Sequence, residues 1–143
     1  MKEKKRVLVL CTGNSCRSIM AEALINARLG ERIEAESSGV QASGRVNPEV
    51  QKLLRRRGLW RERYHSKTLE KVLDRPYDLV VTVCDHAHET CPVFPREVRR
   101  LHRSFEDPSG KAPGEYEKTL ELLEAELLPL VEKTLFPEKE KKG

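Results

Sequence analysis

The residues of this 143-residue chain best suited to chemistry lie between Cys11 and Arg17, directly after the apolar run 7–10. Backbone N–H groups in a loop between a strand and a helix, with the positive end of that helix, favour a bound anion. The same surroundings favour the thiolate form of Cys11, and the planar guanidinium of Arg17 can bind two oxygens of a tetrahedral anion. A structural cysteine would need neither the glycine nor the arginine of this segment, so we predict a nucleophile facing an oxyanion. The residues expected to contact that oxyanion are Thr12, Gly13, Asn14, Ser15, Cys16 and Arg17.

A second group of reactive side chains lies between Cys84 and Cys91, which are separated by six residues in a polar segment that indicates a loop. A disulfide between them requires the loop to bring their Cα atoms within about 7 Å. The alternative is zinc, because Cys84, His86, His88 and Cys91 have the side chains of a Cys₂His₂ site. Their spacing is tighter than in a zinc finger, and zinc would leave the anion-binding segment unexplained. We therefore expect no metal and two solvated histidines.

Two neighbouring carboxylates, Glu106 and Asp107, lie in the segment 104–110. An oxygen leaving the thiolate site needs a proton donor, and a carboxylic acid in a partly desolvated pocket can supply the proton. We favour Asp107 because Pro108 follows it and restricts the backbone. An Asp-Pro pair alone is common in turns, so this prediction depends on the anion-binding segment.

Hydrophobic periodicity predicts the elements that position these groups. Strands are predicted at 6–10, 32–37, 77–83 and 98–103. Helices are predicted at 16–29, from Asn47-Pro48 to Gly58, at 66–73, and at 115–135 with a bend or break at Pro129. Alternation of strands and helices predicts one α/β domain over residues 1–143, with a flexible tail from 137. Its centre would be a four-stranded parallel sheet covered by helices on both faces.

Parallel sheets carry their functional sites at the carboxyl ends of the strands. Cys11 ends the first predicted strand, Cys84 ends the third, and Asp107 follows the fourth. We therefore expect these three side chains at the same edge of the sheet.

Composition and charge restrict the possible partners. The net charge of +4, from 27 basic and 23 acidic residues, suits an anionic substrate. The excess is too small and scattered for nucleic acid, and an aromatic content of 5% leaves few side chains for base stacking. No apolar segment approaches the roughly 18 residues of a membrane span, and none resembles a signal peptide. We expect a cytoplasmic protein whose four cysteines serve catalysis, redox chemistry or metal binding rather than structural disulfides.

Together these residues resemble the thioredoxin-coupled arsenate reductases, which share the low-molecular-weight tyrosine phosphatase fold. The resemblance extends from the first strand to the Asp107 loop, and its most specific feature is the anion loop combined with both Cys84 and Cys91. The matching stretches are LCTGNSCRS at 10–18, MAE at 20–22, SSGV at 37–40, VNP at 46–48, DLVVTVC at 78–84, CP at 91–92 and FEDP at 105–108.

The resemblance implies a relay of three cysteines that reduces arsenate to arsenite without a cofactor. Cys11 attacks the bound arsenate, and Asp107 protonates the departing oxygen. Cys84 then attacks Cys11 and arsenite leaves. Cys91 attacks Cys84, and thioredoxin reduces the resulting Cys84–Cys91 disulfide. Two thiols that form one disulfide supply the two electrons that arsenic(V) must gain.

The resemblance also implies supporting roles around the nucleophile. Ser18 would donate a hydrogen bond to the Cys11 thiolate, and Asn14 would brace the loop. Cys16 also lies in the loop, but no step of the relay requires it. No step of this scheme requires more than a monomer.

Some members of the family bind potassium through residues that correspond to Asn14, Glu22, Ser37 and an aspartate. Lys67 occupies the position of that aspartate here. Because an ammonium group can replace the cation, we expect no potassium dependence.

Two other functions remain open on these residues. A low-molecular-weight protein tyrosine phosphatase would use Cys11, Arg17 and Asp107 and leave the other thiols idle. Such enzymes follow the Asp-Pro pair with aromatic residues, whereas Ser109 and Gly110 follow here, which favours a small inorganic oxyanion. Weak phosphatase activity is still expected, because phosphate and arsenate share shape and charge. A non-enzymatic zinc- or oxyanion-binding module is the third interpretation, and the metal content of the reduced protein would distinguish it.

Overall fold

A central parallel sheet organises the fold. The computed structural model describes residues 4–90, 94 and 97–137. These residues form four parallel strands in the spatial order β2-β1-β3-β4, namely β1 (Lys5–Cys11), β2 (Ile33–Gly39), β3 (Leu79–Thr82) and β4 (Arg99–His102). All residues from Val7 to Cys11 and throughout β3 are buried. Successive strand residues face opposite sides, so both faces of the sheet are covered and the predicted α/β class is confirmed.

Helices follow the strands and cover the sheet. They are α1 (Arg17–Arg28), α2 (Pro48–Arg56), α3 (Asp85–Thr90), α4 (Pro113–Leu122) and α5 (Leu128–Leu135). Helix α1 packs against β1 and β2 and also contacts α2 and α4, whereas α3 contacts β1 and β3. In the described part of the chain, no helix has the length and apolar character needed to cross a membrane.

The start of α2 confirms the predicted Asn-Pro signal. Asn47 is the N-cap, and its Oδ1 accepts a hydrogen bond of 2.8 Å from the backbone N–H of Glu49. Pro48 is the first helical residue, where a missing N–H removes no helical hydrogen bond.

The long C-terminal helix predicted from its leucine spacing is interrupted as Pro129 requires. A π-helical turn spans Leu123–Leu127 between α4 and α5, and Pro129 is the second residue of α5. Proline cannot donate to the carbonyl four residues earlier and clashes with it in a regular α-helix. The wider π-helical turn before Pro129 accommodates this conflict.

Two segments differ from the sequence prediction. The helix expected at 66–73 is only a 3₁₀ turn at Leu69–Lys71, because Thr68 pairs with Gly39 and the Lys67 carbonyl accepts from the Gly39 N–H at 3.0 Å. This pairing holds 67–68 in an extended conformation. The expected loop after Cys84 is instead the six-residue helix α3. Cys91 and the tail at 138–143 lie outside the described residues.

Candidate active site

The anion loop, defined as residues 11–17, lies where the chain connections reverse direction across the sheet. Cys11 ends β1, which pairs with β2 on one side and β3 on the other, and Arg17 begins α1. In open α/β sheets, ligands bind in the crevice at such a switch point. The predicted placement of the loop between a strand and a helix is therefore confirmed.

Carbonyl groups of the anion loop are directed towards the segment 40–47. Those of Cys11, Thr12, Gly13 and Ser15 accept backbone hydrogen bonds of 2.9–3.2 Å from it. Among the described residues, the backbone N–H groups of 12–17 donate to no protein acceptor. These N–H groups are therefore available to bind an anion.

Gly39 permits the close approach of the anion loop to β2. A Cβ atom at Gly39 would lie 2.6 Å from the Thr12 carbonyl oxygen and 3.0 Å from the Asn14 backbone nitrogen. Any larger residue would therefore displace the loop. Sequence reasoning assigned no role to Gly39, and a Ser-Ser-Gly stretch at a strand end is a weak signal for one.

Asn14 braces the loop from within, as the resemblance implies. It is fully buried and adopts φ of 51°, a left-handed conformation that asparagine tolerates better than most residues. The Lys67 N–H donates to its Oδ1 at 2.8 Å, which fixes the orientation of the amide. Its Nδ2 then donates to Ser18 Oγ at 2.8 Å and to Ser37 Oγ at 3.0 Å.

Ser18 lies against the predicted nucleophile. Its Oγ is 3.0 Å from Cys11 Sγ, and both side chains are buried. Because Ser18 Oγ accepts from Asn14, the hydroxyl proton is free to be donated to the Cys11 sulfur. A hydrogen bond of this kind favours the thiolate.

Glu22 ends the same hydrogen-bond network. Ser37 Oγ donates to its Oε1 at 2.6 Å, and the carboxyl group is buried. Burial raises the pKa of Glu22 to about 7, although the hydrogen bond from Ser37 and the positive charges of Lys67 and Arg63 oppose the rise. The structure thus brings together Asn14, Glu22 and Ser37, the residues implied by the family's potassium site.

Arg17 is oriented across the mouth of the loop. Its Nη1 donates to the Phe105 carbonyl at 2.9 Å, and its Nη2 lies 3.5 Å from Asp107 Oδ2. Its Nε is buried and has no partner among the described residues. Because a buried N–H without an acceptor is costly, this donor is well suited to an oxyanion.

Asp107 reaches the site, whereas Glu106 does not. Glu106 forms an exposed ion pair of 2.6 Å with Lys111. Partial burial raises the pKa of Asp107, but hydrogen bonds from Ser109 and the charge of Arg17 outweigh this effect, and the net pKa lies below its usual value. Of the two carboxylates, Asp107 is the one that lies near Arg17, and its role as the proton donor stays a prediction.

Cys84 also contacts the anion loop. One residue separates it from the end of β3. Its Sγ lies 3.2 Å from Thr12 Oγ1 and accepts a hydrogen bond of 3.4 Å from the Ala87 N–H. The side chain is buried. Cys11, Cys84 and Asp107 therefore lie at one edge of the sheet, as predicted.

Cys16 differs from the other thiols of the site. Burial, followed by the negative charges of Asp107 and Cys11, raises its pKa to about 12. Cys16 is therefore a neutral thiol at physiological pH, which agrees with its lack of a required step.

The histidines after Cys84 do not form a metal cluster with their described neighbours. His88 stacks on His102 with ring centroids 4.1 Å apart. The two ring nitrogens of His102 contact Thr82 Oγ1 at 2.7 Å and Asp85 Oδ1 at 3.0 Å. Within the described ranges, no group of three or more His, Cys, Asp or Glu side chains is arranged to hold a metal. The prediction that His88 is solvated is only partly correct, because one face of its ring packs on His102.

Comparison with known proteins reveals two kinds of relative. The family model for low molecular weight phosphotyrosine protein phosphatase matches residues 6–141. An arsenate reductase of Brevibacillus brevis is 36% identical over 132 residues, covering 92% of this chain and 98% of that protein. The crystal structure of an arsenate reductase from Archaeoglobus fulgidus is 38% identical with a TM-score of 0.74, covering 87% of this chain and 98% of that chain. A low molecular weight protein tyrosine phosphatase from T. tengcongensis is 31% identical with a TM-score of 0.77, covering 91% of this chain and 99% of that chain.

Proposed function

This chain belongs to the low molecular weight phosphotyrosine protein phosphatase family, and within that family we propose that it reduces arsenate to arsenite with electrons from thioredoxin. The observation that carries this proposal is the position of Cys84, a buried thiol from outside the anion loop whose sulfur lies 3.2 Å from a hydroxyl of that loop. A phosphatase needs one thiol at this site, whereas a two-electron reduction needs two. The named arsenate reductases at 36% and 38% identity support the same choice.

In the first step, the N–H groups of the anion loop and Arg17 bind arsenate, and the Cys11 thiolate attacks arsenic. A sulfur–arsenic bond forms and an arsenic–oxygen bond breaks. The departing oxygen takes a proton from Asp107 and leaves as water. The Ser18 hydroxyl stabilises the thiolate before the attack and the same sulfur when it later leaves.

Asp107 must hold a proton to act as this acid, although its surroundings in the protein lower its pKa below the usual value. An arsenate dianion adds negative charge near Asp107 and engages Arg17, the cation that otherwise stabilises the carboxylate. Both changes favour proton uptake, so substrate binding itself prepares the acid.

In the second step, the Cys84 thiolate attacks Cys11 Sγ. The Cys11–Cys84 disulfide forms, the sulfur–arsenic bond breaks, and its electron pair remains on arsenic, which becomes arsenite. Cys91 then attacks Cys84, which transfers the disulfide to the Cys84–Cys91 pair and restores the Cys11 thiolate. A thioredoxin dithiol reduces that pair and becomes a disulfide itself.

This scheme needs a reducing compartment and no resident metal or cofactor. We accordingly infer that the protein works in the cytoplasm, where thioredoxin keeps thiols reduced, and that one copy of the chain suffices.

The experiment is arsenate turnover coupled to thioredoxin, thioredoxin reductase and NADPH. Cys11→Ser, Cys84→Ser and Cys91→Ser should each abolish NADPH consumption, with Cys16→Ser as the matched control that retains it. Full thioredoxin-linked activity in the Cys84 or Cys91 variant contradicts the relay.

Phosphatase activity is the second candidate, favoured by Arg17 beside Asp107 and by the phosphatase at 31% identity. Hydrolysis of p-nitrophenyl phosphate separates the two functions because it requires Cys11 but neither Cys84 nor Cys91. Efficient hydrolysis without arsenate turnover would identify the chain as a phosphatase. Weak hydrolysis that survives in the Cys84 and Cys91 variants is expected of a reductase.

A further inference from the structure

Tyr116 links the loop that carries Asp107 to the anion loop, although no sequence signal marks it as part of the site. We propose that its hydroxyl group is a positioning group that holds Asp107 at the correct distance from the departing oxygen. The proposal rests on the proposed function for its chemistry, because Asp107 is the acid in that scheme.

The Tyr116 hydroxyl accepts hydrogen bonds from two directions. Tyr116 lies in α4 and is 3% exposed. The backbone N–H of Gly110 donates to its oxygen at 3.2 Å, and Asn47 Nδ2 donates to the same oxygen at 3.2 Å. The phenol oxygen therefore joins Gly110 and Asn47, which lie in different parts of the chain.

On one side, the connection continues to the anion loop. The Asn47 N–H donates to the Ser15 carbonyl at 2.9 Å, and Asn47 Oδ1 caps α2 through the Glu49 N–H at 2.8 Å. Both bonds restrain Asn47, so its Nδ2 is a fixed donor. The position of the Tyr116 oxygen is thereby tied to the backbone that binds the oxyanion.

On the other side, the connection continues to Asp107. The turn after Asp107 is closed by the Ser109 N–H, which donates to Asp107 Oδ1 at 3.0 Å, and by the Lys111 N–H, which donates to the Pro108 carbonyl at 2.9 Å. Gly110 has φ of +81°, which directs the chain towards α4. A bond that holds Gly110 therefore holds the whole turn.

The acid-bearing loop is anchored at both ends. At its start, the Phe105 N–H donates to the Val83 carbonyl at 3.0 Å, and the Phe105 carbonyl accepts from Arg17 at 2.9 Å. At its end, the loop is connected to the rest of the protein by the Tyr116 bond to Gly110 and by a side-chain hydrogen bond between Ser109 and Cys16. Asp107 lies between these anchors with a side chain that is 49% exposed, so its own packing restrains it little.

Loss of the second anchor should impair proton transfer more than oxyanion binding. A general acid contributes about 10²- to 10⁴-fold, and a misplacement of about 1 Å can cost up to 10²-fold. Tyr116→Phe keeps the ring and removes only the hydroxyl. It leaves the Gly110 N–H and the Asn47 amide without this acceptor, while the bond from Asn47 to Ser15 remains.

The test compares Tyr116→Phe with Tyr64→Phe in the full chain. Tyr64 is also 3% exposed, and its hydroxyl accepts a hydrogen bond of 3.1 Å from the buried Asn26. We expect Tyr116→Phe to lower kcat for arsenate about tenfold and to change the inhibition constant of inorganic phosphate less than about twofold. Tyr64→Phe should leave both values unchanged.

A double-mutant cycle shows whether Tyr116 acts through Asp107. In an Asp107→Asn background, Tyr116→Phe should cause no further loss of kcat, because the acid is already absent. The same proportional loss in both backgrounds, or an equal loss in Tyr64→Phe, would overturn the positioning role.

Hydrogen exchange tests the role without any activity and separates it from the proposed function. Peptides covering 106–111 should exchange faster in Tyr116→Phe than in the wild type and Tyr64→Phe, whereas peptides covering 11–17 should not change. Unchanged exchange at 106–111 contradicts the inference, even if the wild-type protein reduces arsenate. Absence of arsenate turnover with the expected exchange pattern would instead refute the proposed function alone.

Discussion

Cys11 and Cys16 stand five positions apart in one loop, and each has a serine hydroxyl as a hydrogen-bond partner, Ser18 for Cys11 and Ser109 for Cys16. Burial and nearby negative charge raise the pKa of Cys16 to about 12, so its thiol remains neutral. We therefore predict that Cys16→Ala changes kcat for arsenate less than about threefold, because a neutral thiol is a poor nucleophile. Steady-state turnover with Cys11→Ala as the inactive control measures this. A loss as large as that of Cys11→Ala would give Cys16 a chemical role.

Glu22 should make the stability of the protein depend on pH. Its pKa rises from an ordinary 4.5 to about 7 on folding, so the folded protein binds an extra proton between these values. The free energy of unfolding must therefore fall as the pH rises through this range. The total loss by pH 8 is about 3 kcal/mol at most, since each pKa unit is worth about 1.4 kcal/mol. We predict that Glu22→Gln removes this fall and is more stable than the wild type above pH 7.

Urea unfolding at pH 5 and pH 8 measures the effect of Glu22. Glu62→Gln is a suitable control, because the Glu62 side chain is 78% exposed. An equal dependence on pH in Glu22→Gln and the wild type would show that Glu22 is already ionised at pH 5.

Lys67 leads to a prediction about ions. Its backbone N–H fixes Asn14, and the positive charge of its side chain lowers the pKa of the nearby Glu22. A potassium ion beside Glu22 would meet this like charge, so we predict equal activity in KCl and NaCl at the same ionic strength. Lys67→Asp removes the ammonium and should make activity rise with potassium. Activation of the wild type by potassium would contradict the replacement of the cation by Lys67.

At the scale of elements, the sequence predicts those segments whose signals are local. The apolar run 7–10 and the Asn47-Pro48 start of α2 produce the predicted strand and helix because hydrophobic spacing and capping act within a few residues. The segment 66–73 was predicted incorrectly because its backbone pairs with Gly39, about 30 residues earlier in the chain. Helix α3 was missed because a segment of six residues with one apolar side chain, Ala87, shows no clear periodicity.

The length of α3 determines a prediction about the redox cycle. A helix rises about 1.5 Å per residue, so residues seven positions apart in a continuous helix are about 10 Å apart, more than the roughly 7 Å that a disulfide permits. The helical spacing of α3 therefore opposes a Cys84–Cys91 disulfide, and partial unwinding of α3 would relieve this conflict. We predict that amides of 85–90 exchange faster in the oxidised than in the reduced protein.

Hydrogen exchange of reduced and oxidised protein, analysed by mass spectrometry, measures the unwinding of α3. Cys91→Ser cannot form this disulfide and should show the reduced pattern after the same oxidant treatment. Equal protection of 85–90 in both forms of the wild type would exclude unwinding.

At the scale of the whole molecule, the site depends on long-range contacts, of which the sequence predicts some and not others. The convergence of Cys11, Cys84 and Asp107 follows from sheet topology alone and was predicted. The contacts of Tyr116 with Gly110 and Asn47 were not, because they depend on how α4 packs against α2. Hydrophobic periodicity indicates which face of a helix is buried, but it does not specify which polar group a buried hydroxyl contacts.

The described sheet and helices share one buried core, so we propose that residues 1–143 unfold as a single unit. An oxyanion that binds only the folded protein must stabilise all of it, by about 2.7 kcal/mol at a concentration of 100 Kd. For a domain of this size we predict that inorganic phosphate raises Tm by roughly 8 °C in one transition, measured by calorimetry.

Arg17→Lys retains the charge but loses the planar fork and the buried Nε, so most of this rise should disappear. Arg103→Lys, which alters an arginine paired with Glu126 at 2.7 Å, should keep the rise. Two separate transitions would contradict the single unit, and a full rise in Arg17→Lys would mean that the backbone of the anion loop binds phosphate without the guanidinium.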